Sequence, residues 1–497
     1  MIFNSLTYIA FLFVATVLYW MLPRGPRLWM IFLASITFYG FWSFSFVPLL
    51  MASVVLDYVA ALWIAALPDG RKRNAILTAA IAANLGFLFV SKYLVFVLGQ
   101  AEGLARWLGI EPGIGFSLPF HVILPLGISF YTFQSMSYTI DVWRRAIAPT
   151  RDFILFADYV LYFPQLVAGP ILRAGEVIWQ LDRRPEFSWS HVSAGLQSVI
   201  AGLFLKCVLA DNIAPLVDSG FGARDGSDLG AVDVIVISFL FGFQIYFDFA
   251  GYSLIAIGSA RIMGLRFPNN FDFPYLAANP RDFWRRWHIS LSSWIRDYLY
   301  LPLCRVRGRS HSEGGLDVAP GADAGRRRRT MALWVTWTLM GFWHGANWTF
   351  LLWGLWHAAL VSLHRLFAAR LPWSVPGPLS WAATLPLVML GWIPFRATSL
   401  DHALELWGRL LVWEGWFHKS AQGGLPIRLA LHRDSYYVAA IVMILIVAAW
   451  AVHRYVLPRM GDRPRMNLAL QGIAMAVAVP LIVLFLRPIH QFIYFQF

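Results

Sequence analysis

Residues 331–364, MALWVTWTLMGFWHGANWTFLLWGLWHAALVSLH, decide how this chain is to be read. The stretch is apolar enough for a hydrocarbon interior, yet Arg326 to Arg329 precede it and Arg365 and Arg370 follow it. Short loops rich in Lys and Arg stay on the cytoplasmic face, so the stretch enters and leaves on that side. From Met331 to His344 is 13 residues, about 20 Å of helix against a hydrocarbon core of about 30 Å. A hairpin turning at Gly345, Ala346 and Asn347 therefore puts His344 near mid-membrane. Non-helical backbone is tolerated at that depth only where protein buries it or a water-filled cavity receives it, and His344 is expected to line such a cavity.

The rest of the chain agrees with a membrane setting. Of 497 residues, 59% are hydrophobic and 13% charged, more apolar surface than a water-soluble fold of this size can hide. A polytopic membrane protein follows, and with no polar linker in view a single transmembrane domain over 1–497 is expected. The formal charge of +13 sits in clusters between apolar segments, as membrane topology requires, so no nucleic-acid partner is expected. Two cysteines, Cys207 and Cys304, cannot form a disulfide framework. The opening segment lacks a basic n-region and a small-residue cleavage site and reads as a retained first helix.

Apolar runs long enough to span fall near 5–22, 28–46, 48–67, 75–99, 121–140, 191–211, 232–259, 379–395, 436–457 and 468–487. Arg24 and Arg27, then Arg71, Lys72 and Arg73, then Arg144, Arg145 and Arg151 mark cytoplasmic turns, whereas the stretch around Asp218, Asp225, Asp228 and Asp233 reads as outside. This parity leaves both termini on the outer face. Besides 331–364, two segments are not plain spans: 152–170, basic on both flanks, is expected to dip in and return, and 279–303, which alternates cations with aromatics, reads as an interfacial or re-entrant helix.

An ionisable side chain at membrane depth is a functional-site hypothesis by default, although histidines also join helices by hydrogen bonds. His357 and His364 are read as such interhelical ties. His344 stands apart because Gly341, Gly345, Ala346 and Asn347 leave room beside its imidazole. His288, in FWRRWHISLSSWIRDYLY (283–300), has two readings. Its segment is an aromatic belt with Arg281, Arg285, Arg286 and Arg296 facing phospholipid, or it lines the cytoplasmic mouth of a channel, its guanidinium groups holding the phosphates of a nucleotide-bearing donor. Trp287 and Trp343, beside the two histidines, and Tyr246 are counted with the substrate- and donor-binding residues. Asp248 either orients an imidazole or pairs with an arginine of a neighbouring segment. There is no Walker loop, HExxH, paired CxxC or GxSxG, and no metal site is expected.

LPLGISFYTFQSMSYTIDVWR, YFPQLVAGPILR, IYFDFAGYSLIAIG, NFDFPYLAANPRDFWRRWHISLSSWIRDYLYLPL and GFWHGANWTFLLWGLWHA together resemble the membrane-bound O-acyltransferase superfamily, MBOAT. The likeness runs from about 120 to 360. It is strongest to the bacterial branch of alginate and cellulose O-acetylation and teichoic acid D-alanylation membrane proteins. The resemblance implies an all-α helical bundle of about ten or eleven spans, with re-entrant helices and a central tunnel, in the bacterial inner membrane. It matches the family's buried catalytic histidine to His344 and its second histidine to His288. It further implies a thioester donor in the cytoplasm, acetyl-CoA, with no bound cofactor. The partners it implies are membrane lipids, a polysaccharide acceptor and a secreted or membrane-anchored esterase-like acyltransferase. Two departures stand out: Leu254 replaces a carboxylate common in relatives, and the loop after 303 differs from the relatives' pattern, although Arg305, Arg307 and Arg309 keep it basic. The ending HQFIYFQF (490–497) resembles an aromatic tail of this branch whose tyrosine acts as an acyl relay, which implies that role for Tyr494; an aromatic belt at the outer interface is the alternative.

On this reading a neutral imidazole at His344, of ordinary pKa about 6.5, is the general base that activates an acceptor hydroxyl. Asn347 or backbone N–H groups at the hairpin turn stabilise the oxyanion. D-alanyl transfer, peptidoglycan acyl transfer, a transporter using His344 and Asp248 as a proton relay, and a scaffold for a soluble partner are the competing readings.

Overall fold

A computed structural model describes the chain except at residues 2, 111–123, 168, 184, 223–228, 305–324, 371–375, 417–428, 453–454, 456–463, 487–491 and 493–497. Among the described residues every regular element is helical. This is how a chain in lipid satisfies its backbone without an open sheet edge. Six helices are long and apolar enough to cross a membrane: Phe44–Ala66, Arg71–Trp107, Trp189–Phe221, Ala231–Ile262, Trp348–Phe367 and Gly377–Arg396. Shorter apolar helices cover Leu6–Met21 and Gly472–Phe485, and the chain is a multi-pass membrane protein of the all-α class. Five of the expected spans coincide with long helices, while the sixth long helix is the outgoing arm of the hairpin.

Two helices run further than the apolar pattern suggests, and each contains a π turn, at Phe89–Tyr93 and at Phe204–Ala210. Such a turn inserts one residue without breaking the rod, and composition carries no mark of it.

The described chain divides into two compact units, Met1–Val199 with Tyr252–Pro268, and Ile200–Gly251 with Asn269–Phe497. In the first, helices Val47–Ala66, Arg71–Leu88 and Ile128–Trp143 pack together around a buried carboxylate. Thr139 Oγ1 donates to Asp57 Oδ1 at 2.7 Å and Asn84 Nδ2 to Asp57 Oδ2 at 2.9 Å, the donors that a buried acid requires. The segment expected to dip and return is not one continuous helix: helix Phe153–Leu161 is followed by non-helical backbone and then helix Ala174–Asp182. Arg24 ties its two ends, donating to Asp182 at 2.7 Å and to Asp152 at 3.2 Å. Close helix contact comes from glycine, since a Cβ on Gly258 would lie 2.6 Å from the Gly195 carbonyl oxygen.

In the second unit a Cβ on Gly251 would lie 2.7 Å from the carbonyl oxygen of Gly202, so small residues again let backbones approach as they do in membrane bundles. Helix Ala231–Ile262, whose residues to Gly251 belong to this unit, has 78% of its most apolar window buried inside protein, which is why it tolerates Gln244 and Asp248. Helices Arg326–His344 and Trp348–Arg370 form the hairpin, and Gly377–Arg396 packs on its outgoing arm.

Candidate active site

All described residues of the candidate site lie in the second unit. The hairpin turns at Gly345–Asn347, where the sequence placed it. Its arms lie close because Gly341 faces the Phe350 carbonyl and Gly354 the Trp337 carbonyl, and a Cβ at either position would collide with that oxygen. Asn347 starts the outgoing helix: its Oδ1 accepts from Thr349 N at 3.1 Å, and its Nδ2 donates to Thr398 O at 3.4 Å. The amide is thus engaged as a helix cap.

His344 closes the incoming helix and is 5% exposed. Three rings meet it edge-on: Trp353 at 4.7 Å, Trp343 at 4.8 Å and Phe395 at 5.2 Å. An imidazole walled by aromatic carbon keeps its surroundings dry and its electrostatics strong.

Segment 279–303 is not one surface helix. It breaks at His288, whose φ of 43° is left-handed, between helices Pro280–Arg286 and Ile289–Ile295. Phe283, Trp284, Trp287, Leu291 and Trp294 turn inward and are buried, while Arg281 and Arg285, one turn apart, are exposed. Arg286 pairs within the protein, with Asp282 at 3.1 Å and Asp272 at 3.4 Å, and the buried Arg296 pairs with Asp297 at 2.8 Å. Of the four arginines read from sequence as one basic face, Arg286 and Arg296 therefore turn to partners inside the protein.

His288 is fully buried. Asn270 Oδ1 accepts from Ser290 N at 3.3 Å and from Ser290 Oγ at 2.9 Å, and lies 3.1 Å from His288 Nδ1. Because the Ser290 amide can only donate, the Asn270 atom is oxygen, so Nδ1 carries the proton and Nε2 of the neutral ring is left as acceptor. Phe249 stands edge-on to this imidazole at 4.6 Å, and Phe492 of the chain's tail meets Phe249 at 5.7 Å. Tyr494, Arg305, Arg307 and Arg309 lie outside the described residues.

Indole rings link the two histidine segments. Trp287 meets Trp392 at 4.9 Å, Trp392 meets Trp353 at 6.3 Å, and Trp353 meets His344. Tyr246 joins the same wall, 6.1 Å from Trp287 and 5.5 Å from Tyr275. Asp248 has the ion-pair role, but with a lysine rather than an arginine. Lys206 Nζ, in the π turn Phe204–Ala210, lies 2.7 Å from Asp248 and 2.8 Å from Asp211. Sequence reading missed this lysine inside an apolar run; a lone cation in a span was the available signal.

Comparison with known proteins follows the same residues. The family model for MBOAT, membrane-bound O-acyltransferase family, matches residues 36–389. The chain is 35% identical over 420 residues to "Probable alginate O-acetylase AlgI" of Azotobacter vinelandii, covering 84% of this chain and 79% of that one. To "Peptidoglycan O-acetyltransferase" of Helicobacter pylori it is 33% identical over 417 residues, 77% of this chain and 73% of the relative. To "Teichoic acid D-alanyltransferase" of Streptococcus thermophilus it is 29% identical over 242 residues, 47% and 54% of the two chains.

Proposed function

The chain belongs to the membrane-bound O-acyltransferase family, and from that premise we propose that it carries an acetyl group from cytoplasmic acetyl-CoA across a bacterial inner membrane for O-acetylation of an extracytoplasmic polysaccharide. Membership makes the chain an O-acyltransferase, so the transporter reading falls away. Acetyl rather than D-alanyl is favoured because the acetylating relatives align over 77–84% of the chain and the D-alanyltransferases over 47–57%.

The observation that carries the proposal is His344: an imidazole at the inner end of a hairpin that starts and ends on the basic side, buried against Trp343, Trp353 and Phe395. A thioester is already activated, so the protein's task is to position an alcohol, take its proton and exclude water. His344 takes the proton. His288, with Nδ1 committed to Asn270, presents Nε2 as an acceptor that orients or relays a hydroxyl. Trp287, Trp343 and Tyr246 wall the acyl path, Asp248 holds its helix through Lys206, and Arg281 and Arg285, with Arg286 nearby, meet the donor's phosphates. Phe492 of the tail meets Phe249 beside His288, and the acyl-relay role to a secreted or membrane-anchored partner is proposed for Tyr494. Asn347 is the weaker oxyanion candidate, its amide being spent on Thr398.

Purified protein incubated with labelled acetyl-CoA tests the reading. Free CoA or covalent label is expected from the wild type, and His344→Ala should nearly abolish either. Substantial residual turnover in that variant would remove the general-base role, and an inert wild type would remove acetyl-CoA as donor.

A further inference from the structure

Among the described residues, four ring nitrogens packed around Trp353 are buried without a hydrogen-bond partner: Nε1 of Trp337, Trp353 and Trp392, and Nε2 of His357. Trp353 is their centre, with ring centroids 5.1 Å from His357, 6.1 Å from Trp337 and 6.3 Å from Trp392. An indole nitrogen only donates. His357 belongs to the same class here, because Trp284 Nε1 donates to its Nδ1 at 3.3 Å; a neutral ring accepting at Nδ1 carries its hydrogen on Nε2. All four are therefore N–H donors, concentrated where native proteins rarely leave any unpaired.

Four donors gathered in a dry aromatic setting favour an acceptor group. Lipid tails do not supply one, whereas an acyl carbonyl does. The same Trp353 stands edge-on to His344 at 4.7 Å, so one ring joins the donor cluster to the base. Sequence alone left His357 as a helix tie and gave the oxyanion to Asn347 or backbone N–H groups at the hairpin turn; the Asn347 side chain caps the outgoing helix.

We propose that the indole N–H of Trp353 and the Nε2–H of His357 form the acyl-carbonyl subsite of this enzyme, donating to the thioester oxygen as the alcohol attacks. The inference rests on the acyl-transfer reading above. The alcohol oxygen bonds to the carbonyl carbon while its proton passes to the His344 imidazole, and the carbonyl π pair moves onto oxygen, where the two N–H groups receive it. Collapse restores the carbonyl and breaks the carbon–sulfur bond, and the imidazolium returns its proton to the departing thiolate. Preorganised donors act on this developing charge more than on the resting carbonyl.

The test uses the full chain in nanodiscs. Trp353→Phe keeps a ring against His344 and deletes the donor. It should lower kcat for CoA release from acetyl-CoA about 10²-fold with KM little changed, and His357→Asn should do so less severely. Isotope-edited infrared spectra of carbonyl-labelled acetyl-CoA on His344→Ala give a reading that a packing role would not move. The carbonyl stretch should fall below its value in water and return toward it when Trp353→Phe is added. An unshifted stretch on His344→Ala, or one indifferent to Trp353→Phe, overturns the subsite even if the kinetic variants fold poorly. A wild type that releases no CoA defeats the parent reading, whereas an active wild type with an undiminished Trp353→Phe defeats only this one.

Discussion

At the scale of single residues, backbone conformation limits what can replace a functional side chain. His288 sits at φ 43° between two short helices, a region that Asn, Asp and His enter several-fold more readily than other side chains and that β-branched residues avoid. His288→Asn should therefore remove the imidazole and leave thermal stability in detergent nearly unchanged. His288→Val should lower stability by about 1–3 kcal/mol through strain alone. Loss of activity in the Asn variant with an unmoved melting temperature would separate chemistry from folding; equal melting losses in both would mean that the turn is not strained.

At the scale of elements, the π turn Phe204–Ala210 aims Lys206 between Asp211 and Asp248, all three nearly buried. Lys206→Met leaves two carboxylates without their cation and should cost about 3–5 kcal/mol, read as lost thermal stability in detergent. Adding Asp211→Asn and Asp248→Asn should recover most of it, and a triple variant as unstable as the single one would contradict the charge argument. Elements also show what a sequence can and cannot disclose. The hairpin was legible because arginines flank both ends and Gly345 follows His344, both local features. The π turns were not, since they add a residue without altering composition. The partner of Asp248 was not either, because Lys206 lies in another span and only packing brings it near. His288 and His344 could be named in advance, but the donors around Trp353 emerge only when every ring nitrogen is checked for an acceptor.

At the scale of the molecule, topology can be read chemically because the two native thiols do not interfere: Cys207 and Cys304 form no disulfide and are buried, each 1% exposed. With basic loops inside, Asp401→Cys, exposed at the start of helix Leu400–Leu411, should react with a membrane-impermeant maleimide on intact cells. Lys72→Cys, exposed at the start of helix Arg71–Leu88, should react only after permeabilisation. The reverse pattern would invert the whole arrangement, including the side from which the hairpin is entered. Helix Ala231–Ile262 carries one further consequence. Its 32 residues make a rod of about 48 Å, far longer than a hydrocarbon slab of about 30 Å. Sheathed in neighbouring helices, it escapes the usual demand that a span match the lipid around it. Asp248 and Phe249 consequently hold their depth by contact with protein, and the reacting centre inherits its level from the scaffold rather than from the thickness of the bilayer.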